Sequence, residues 1–302
     1  DEQHRFGVGQ RAALADARGA PGSGGSPGSG GQVPHQLYMT ATPIPRTLAL
    51  SQYGDLDITI LRELPRGRQP IATHVCSTEP ERERAYARIR EEVDAGRQAF
   101  IVCPLVEESE ALQARAASSE YERLKAGPLS AYELVLMHGQ MRPAQKQAAM
   151  ERFTAGQAQI LVATTVIEVG IDVPNATVML VEDADRYGIS QLHQLRGRIG
   201  RGAHASLCLL FGRRESQRLQ ALAHESDGFR LAEVDLALRG HGELVGTRQS
   251  GHDVEHRFAD LTRDKELLER AALYSRALLD LDPELIAPEH VLIAQVLPRI
   301  HA

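Results

Sequence analysis

The sequence contains no tryptophan and few aromatic residues of any kind. Aromatic side chains make up 4% of its 302 residues, and cysteine occurs three times, at positions 76, 103 and 208. The cysteines are odd in number, far apart and without the close spacing of metal ligands, which argues against a disulfide framework or a cysteine-based zinc site. We expect buried or incidental thiols without chemistry of their own, in a reducing compartment.

Long apolar runs are also missing. The apolar run near residues 100–106 is far shorter than the roughly 20 residues that a helix needs to cross a bilayer. The first residues lack the charged-then-apolar pattern of a targeting segment. We therefore expect a cytoplasmic protein with no membrane partner.

A third absence concerns nucleotide binding. Many nucleotide-hydrolysing motors hold phosphates with a glycine-rich turn of the form GxxxxGK[ST], which also places Mg²⁺. The sequence contains no such element. A site for a nucleoside polyphosphate would therefore need a phosphate-binding loop that is not part of this sequence.

The net charge of -6 gives only a weak argument against a nucleic-acid partner. Phosphate binding depends on local Lys and Arg, not on total charge. Acidic residues concentrate in residues 79–94 and 107–122, whereas residues 196–201 and 239–248 have a local basic excess. Such asymmetry permits a basic track on an acidic molecule.

Residues 194–202 read QLRGRIGRG, which places three arginines among three glycines without an acidic neighbour. On a helix, Arg198 and Arg201 would share one face because they are three residues apart, while Arg196 would project elsewhere. Two planar guanidinium groups suit the oxygens of one polyphosphate. A solvated basic helix is the simpler alternative for this segment taken alone.

Five short segments, taken in chain order, resemble motifs of the superfamily 2 helicases. Motifs II, III, IV, V and VI are matched by DEQH at residues 1–4, TATPIPRTL at 40–48, HGQMR at 138–142, ATTVIEVGIDVP at 163–174 and QLRGRIGRG at 194–202. The sequences of these segments and of LRGHGELVGTRQSG at 238–251 resemble those of RecG-type helicases, and the resemblance covers nearly the whole chain. His241 departs from that pattern, since the family usually has proline there.

The resemblance implies a role for each motif residue. Catalysis is assigned to Asp1, which would hold Mg²⁺, to Glu2, which would orient the attacking water, and to the arginine fingers Arg198 and Arg201. Nucleotide sensing and coupling are assigned to His4, Thr40, Thr42, Gly170, Asp172 and Gln194. DNA binding is assigned to Gly139, Arg142, Thr164, Thr165, Arg239, Arg248 and Gln249.

Each assignment has a structural alternative. The carboxylates could be an exposed acidic terminus, and the hydroxyls of Thr40 and Thr42 could simply cap a helix or form a turn. Thr164 and Thr165 could be strand-favouring residues. Arg239 could cap the helix that precedes it.

The fold class expected is α/β, with a RecA-like parallel sheet flanked by helices and a mainly helical C-terminal extension. Residues 1–64 would be the remnant of a first helicase lobe, interrupted by a Gly/Ser-rich insertion at 19–31. Residues 65–215 would be the second lobe, and residues 216–302 would carry the translocation motif. Chemistry should lie at the carboxyl ends of the strands, where Thr164 and Asp183 fall.

Periodicity and apolar runs predict the individual elements. Strands are expected at residues 99–106, 134–137, 159–163, 177–181, 206–211 and 291–296. Helices are expected at 80–95, 109–125, 143–153, 189–199, 217–224, 229–238 and 260–281.

The resemblance implies the C-terminal part of an ATP-dependent double-strand DNA translocase that drives branch migration and fork reversal in recombination and repair. It implies ATP and Mg²⁺ as cofactors, branched duplex DNA such as forks and Holliday junctions as partner, a missing N-terminal half and a monomer. On its own the chain should be inactive. A transcription-repair coupling translocase and a motor-less nucleic-acid-binding module remain open as alternatives.

Overall fold

The computed structural model describes residues 37–43, 58–61, 69–103, 110–164, 172–239, 264–293 and 295. The chain divides into two compact units. One comprises Thr59–Asp235, and the other combines Asp1–Ile58 with Leu236–Ala302.

The first unit is built on a six-stranded sheet in which every pair of neighbours is parallel. The strand order is β1-β6-β5-β2-β4-β3. The strands are β1 (Ile71–Cys76), β2 (Gln98–Val102), β3 (Leu134–Met137), β4 (Ile160–Ala163), β5 (Ala176–Val181) and β6 (Ser206–Phe211). The carboxyl ends of all six therefore lie at one edge of the sheet.

Helices cover both faces of this sheet, which explains the nearly continuous apolar character of its central strands. Phe100 and Val102 of β2 belong to the core beneath one set of helices, and Ala99 and Ile101 belong to the core beneath the other. The helices are α1 (Glu79–Asp94), α2 (Glu110–Ala126), α3 (Pro143–Thr154), α4 (Ile189–Arg196), α5 (Gln217–His224), α6 (Gly228–Arg239) and α7 (Lys265–Leu281). Of these, α1 and α2 contribute to the Ala99 side, and α3, α4 and α5 to the Phe100 side.

Local signals explain where two of these helices begin and end. The Glu81 carboxylate accepts hydrogen bonds from the backbone N–H groups of Ser77 and Thr78, which closes the first turn of α1. The chain leaves α1 at Gly96 and α3 at Gly156, both with positive φ. Glycine adopts this left-handed conformation at no steric cost.

The prediction of an α/β fold with a parallel sheet is confirmed. Strands β3 and β6 and helix α5 have the predicted bounds, and most other elements agree within a few residues. One strand was missed and one predicted strand is wrong. Strand β1 was not predicted, and residues 291–293 are helical where a strand was expected at 291–296.

The helix predicted at 189–199 also needs correction, because it ends at Arg196. Gly197 follows as its C-cap, and Gly200 has φ +72. Two glycines within four residues favour a turn over further helix. Arg198 and Arg201 therefore lie beyond the helix and do not share a helical face.

Candidate nucleotide- and DNA-binding site

The carboxyl edge of β3 and β4 brings together two of the predicted DNA-binding residues. The two strands are neighbours with Met137 opposite Ala163, and Thr164 continues this pairing by donating its backbone N–H to the Met137 carbonyl at 3.2 Å. Gly139 lies in the turn that follows β3. Thr164 is buried, 3% exposed, whereas Gly139 is exposed.

The turn from Gly139 to helix α3 is exposed and basic. Lys146 donates from Nζ to the Gly139 carbonyl at 2.7 Å, and the backbone N–H of Arg142 donates to the Gln145 side chain at 3.0 Å. A Cβ added at Gly139 would meet no atom within 4 Å, so the backbone there is openly accessible. Together Arg142, Lys146 and the start of α3 offer cations and backbone donors to an anion.

Lys146 was not among the predicted site residues. The signal for it was present, since it follows Arg142 by four residues and therefore lies on the same side of the first turn of α3. Its contact with the Gly139 carbonyl shows that it orders this turn.

The arginine turn, residues 197–202, packs against residues that precede it in the chain. A Cβ at Gly202 would clash with the Pro174 carbonyl, and one at Gly200 would lie 2.9 Å from the Ile71 side chain. Only glycine therefore permits the close approach that places this turn beside residues 172–174 and the start of β1.

Arg201 and Asp172 are the two predicted residues that this packing joins. Arg201 Nη1 lies 3.2 Å from Asp172 Oδ1, and Arg201 Nε donates to the Gly197 carbonyl at 3.2 Å. The two side chains are 31% and 66% exposed. An ion pair this exposed contributes only about 0–1 kcal/mol, so an incoming phosphate could replace the carboxylate at little cost.

Arg196 has a different environment from the other two arginines of the motif. It is 5% exposed, and its guanidinium donates to the backbone carbonyls of Leu222 at 2.7 Å and Glu225 at 3.0 Å. These contacts satisfy carbonyls at the end of α5. Arg196 is thus a structural anchor that ties α4 to α5.

Glu182, which follows β5 directly, forms a buried polar cluster that the sequence did not predict. Tyr86 donates to Glu182 Oε1 at 3.1 Å, and the guanidinium groups of Arg82 and Arg123 lie 3.5 and 3.7 Å from its oxygens. Burial, and next the nearby charge of Glu120, raise the pKa of Glu182 to about 7 despite these cations. The sequence signal was a carboxylate at the end of an otherwise apolar strand.

Thr40 and Thr42 lie in the second unit, where the backbone N–H of Thr42 donates to Thr40 Oγ1 at 3.1 Å. This contact matches the turn alternative, and a coupling role stays a prediction. Gln194 lies half-buried in α4, and Arg239 is the last residue of α6.

The remaining predicted residues fall outside the described parts of the chain. They are Asp1, Glu2, His4, Thr165, Gly170, Arg248 and Gln249. Within the described residues there is no group of three or more His, Cys, Asp or Glu side chains placed to hold a metal ion. The Mg²⁺ role of Asp1 is therefore still a prediction.

Two further expectations concern cysteine and membranes. All three cysteines are free and buried, as predicted, and burial raises the pKa of each thiol. Across the part of the chain that is described, no helix has both the length and the apolar character needed to span a bilayer.

Comparison with known proteins places these features in a family. The family described as "Helicase conserved C-terminal domain" matches residues 81–203, and the one described as "ATP-dependent DNA helicase RecG, domain 3, C-terminal" matches residues 225–301. The ATP-dependent DNA helicase RecG of Synechocystis sp. is 48% identical over 95% of this chain and 33% of its own length. That of Mycobacterium leprae is 50% identical over 90% of this chain and 37% of its own length.

A solved structure described as "Structure of RecG bound to three-way DNA junction" aligns with a TM-score of 0.57 at 43% identity, over 76% of this chain and 30% of that one. The parallel sheet and the matched segments define the second motor lobe of a superfamily 2 helicase. Within that superfamily the chain belongs to the RecG family and corresponds to the C-terminal part of its members. It spans between 33% and 40% of the length of the curated relatives it matches.

Proposed function

We propose that this chain is the C-terminal part of an ATP-dependent double-strand DNA translocase that drives branch migration and reversal of stalled forks in recombination and repair. The observation that carries the proposal is the exposed Arg201–Asp172 pair on a glycine turn, in a chain that is 48% identical to a RecG helicase. Support for branched DNA comes from the relative whose structure was determined on a three-way junction.

The nucleotide role proposed for the arginine turn follows from its accessibility. The Arg201 guanidinium is partly exposed, and apart from the bonds of Nε to Gly197 and of Nη1 to Asp172 it makes no hydrogen bond or ion pair with the described residues. A planar fork of this kind can donate two hydrogen bonds to phosphate oxygens. In the proposal Arg198 and Arg201 complete an ATP site whose phosphate loop lies in the N-terminal half of the protein.

Mg²⁺-ATP, when bound, would supply the phosphoanhydride whose hydrolysis drives movement. Asp1 and Glu2 are the residues proposed to hold the cation and to orient water, and Arg201 would neutralise charge as it develops on the phosphates. Arginines that act in this way contribute about 10³-fold or more to turnover.

The DNA role is proposed for the turn from Gly139 to Lys146. Its open backbone, the exposed Arg142 and the Lys146 ammonium suit phosphate contacts, which position a protein on a duplex without reading sequence. Residues 239–249 are proposed to couple movement of the lobe to the duplex. We also infer a monomer and a cytoplasmic location, the latter because the proposed substrate is chromosomal DNA and the three thiols are unpaired.

The test is to compare this chain with the full-length protein on a forked DNA. We expect DNA-stimulated phosphate release and unwinding from the full-length protein, and no turnover from the chain alone, since positioning of the phosphates supplies most of the catalysis. A full-length protein without DNA-stimulated ATPase would contradict the motor proposal. Turnover by the chain alone, lost in Arg201→Ala, would contradict the need for a second half.

A further inference from the structure

Strand β1 is an edge strand, and a cleft of about 410 Å³ runs along it. Helices α1 and α5 form its walls, and β1 residues Thr73 to Cys76 form its base. Within the described part of the chain β1 pairs only with β6, so its other side has no strand beside it. We refer to this feature as the edge cleft.

The backbone of β1 has a defined set of groups that face this cleft. Gly212 on the β6 side donates to the Cys76 carbonyl, so the backbone groups of Cys76 point towards β6. Because these groups alternate along a strand, those of Thr73 and Val75 point to the opposite, unpaired side. An unpaired edge with accessible N–H and C=O groups is a template for an added strand.

The Thr73 side chain supplies a second, independent sign of a missing partner. Thr73 lines the cleft, is 9% exposed, and its hydroxyl oxygen is buried without a hydrogen-bond partner among the described residues. Leaving a buried hydroxyl unsatisfied is costly, and a rotation of χ1 would let it bond to a group on an incoming chain.

The charge of the cleft lining favours an acidic occupant. Its charged and titratable side chains are His74, Cys76, Glu81, Arg84, Arg88, Arg214 and His224. Arg214 is paired with Glu81, and Arg88 with two glutamates of its own helix. Arg84 is exposed and has no ion pair in the described part of the chain.

Two other occupants fit less well. A second copy that paired symmetrically, cleft to cleft, would bring Arg84, Arg88 and Arg214 towards their own counterparts, and like charges across an interface are repulsive. Single-stranded nucleic acid would match the charge, but the lining has no Phe, Tyr or Trp side chain on which a base could stack, and a phosphodiester backbone has no N–H group to donate to the Thr73 and Val75 carbonyls.

From these observations we propose that the edge cleft binds an extended acidic peptide segment, which adds to the sheet as a strand beside β1. Main-chain hydrogen bonds to Thr73 and Val75 would provide affinity, and Arg84 would select carboxylates on the incoming segment. The proposal is independent of the motor function, because the cleft uses neither the arginine turn nor the Gly139 turn.

The experiment uses the full chain and a fluorescein-labelled eight-residue peptide that alternates valine and glutamate, with binding followed by fluorescence anisotropy. We expect saturable binding that weakens with salt and is lost when lysine replaces glutamate. Arg84→Glu should weaken binding by about fivefold to tenfold, since the reversal removes one exposed pair of opposite charges and puts a pair of like charges in its place. The matched control is Arg115→Glu on α2, an exposed arginine outside the cleft, which should change affinity by less than about twofold.

Backbone pairing is tested by two N-methylated versions of the peptide, one modified on its valines and the other on its glutamates. An added strand pairs through only one of these sets, so one version should bind and the other should not. Equal binding or equal loss for the two versions would overturn the proposal, as would equal effects of Arg84→Glu and Arg115→Glu. So would binding of a single-stranded oligonucleotide in place of the peptide, or a concentration-dependent dimer that the Arg84→Glu variant loses.

Discussion

Replacing Glu182 with glutamine should remove a pH dependence of stability that arises from a single buried carboxyl group. Burial and the charge of Glu120 raise the pKa of Glu182 from its usual 4.5 to about 7 in the folded protein. The folded state therefore binds more protons than the unfolded state between these two values. Stability supplied by the protonated carboxyl is complete below about pH 4.5 and is lost as the pH rises towards 7.

The magnitude follows from the size of the pKa change. A tenfold change in a protonation equilibrium is worth about 1.4 kcal/mol, so the full change corresponds to about 3 kcal/mol between pH 4.5 and pH 7. The Glu182 side chain is 8% exposed, so solvent screens it little. The pKa of about 7 already reflects the opposing charges of Arg82 and Arg123, so they do not reduce this figure further, and we expect about 1–3 kcal/mol over the assayed pH range.

The assay is urea unfolding of the chain at a series of pH values from 5 to 8. Other groups also titrate there, so the quantity to compare is the difference in free energy of unfolding between wild type and Glu182→Gln. This difference should shift in favour of the variant by about 1–3 kcal/mol as the pH rises. Glu133→Gln is the control, because Glu133 is a half-exposed carboxylate paired with Arg152 at the surface.

The reasoning would be refuted if wild type and Glu182→Gln had parallel pH profiles. In that case the guanidinium groups would keep Glu182 ionised at neutral pH, and the ion pairs would outweigh burial. A constant offset between the profiles would not matter, since the glutamine amide faces Arg82 less favourably than a carboxylate does.

Three further changes test the packing of the arginine motif and the coupling segment. Arg196→Ala should lower the free energy of unfolding by about 2–4 kcal/mol because it leaves carbonyls at the end of α5 unsatisfied. The control Arg213→Ala, at an 81% exposed side chain, should change it by less than about 0.5 kcal/mol. Similar melting temperatures for the two variants would contradict the anchor role of Arg196. Gly202→Ala should destabilise the chain, because the new Cβ would clash with the Pro174 carbonyl, and Gly139→Ala should not, because its Cβ would meet no atom. Equal melting curves for the two variants would contradict the close approach of Gly202 to Pro174. If Arg239 couples ATP hydrolysis to unwinding, Arg239→Ala in the full-length protein should keep most of the ATPase activity and lose fork unwinding. Equal small losses in both rates, with a lower melting temperature, would show that Arg239 caps the helix instead.

The fold was predictable from the sequence wherever a strand was buried on both faces. Strands β3 to β6 are short apolar runs, and their bounds follow from that pattern. Strand β1 was missed because its Ala72 and His74 are exposed, so its apolar pattern is too weak to stand out, whereas β3, the other edge strand, has no exposed residue. The strand predicted at residues 291–296 was wrong because a short apolar run does not distinguish a strand from a helical turn.

The candidate site was predictable in its residues more than in its geometry. The motifs identified Arg201 and Asp172, and the structure brings them within 3.2 Å. The motif sequence could not show that Arg196 is buried and caps α5, since these contacts depend on where the end of α5 lies relative to α4. Glu182 was missed because its neighbours Tyr86 and Arg123 lie 96 and 59 positions away in the chain.

Turnover of full-length Arg201→Ala is the measurement that tests the central claim most directly. Phosphate release would be measured at saturating forked DNA, together with ATP affinity, for wild type, Arg201→Ala, Arg201→Lys and the control Arg186→Ala, an exposed arginine elsewhere in the lobe. The account predicts ATP binding close to wild type, a loss of turnover of about 10³-fold or more in Arg201→Ala and poor rescue by lysine, which offers a point charge in place of a fork. Near-normal turnover in Arg201→Ala would contradict the assignment of this turn to the nucleotide site.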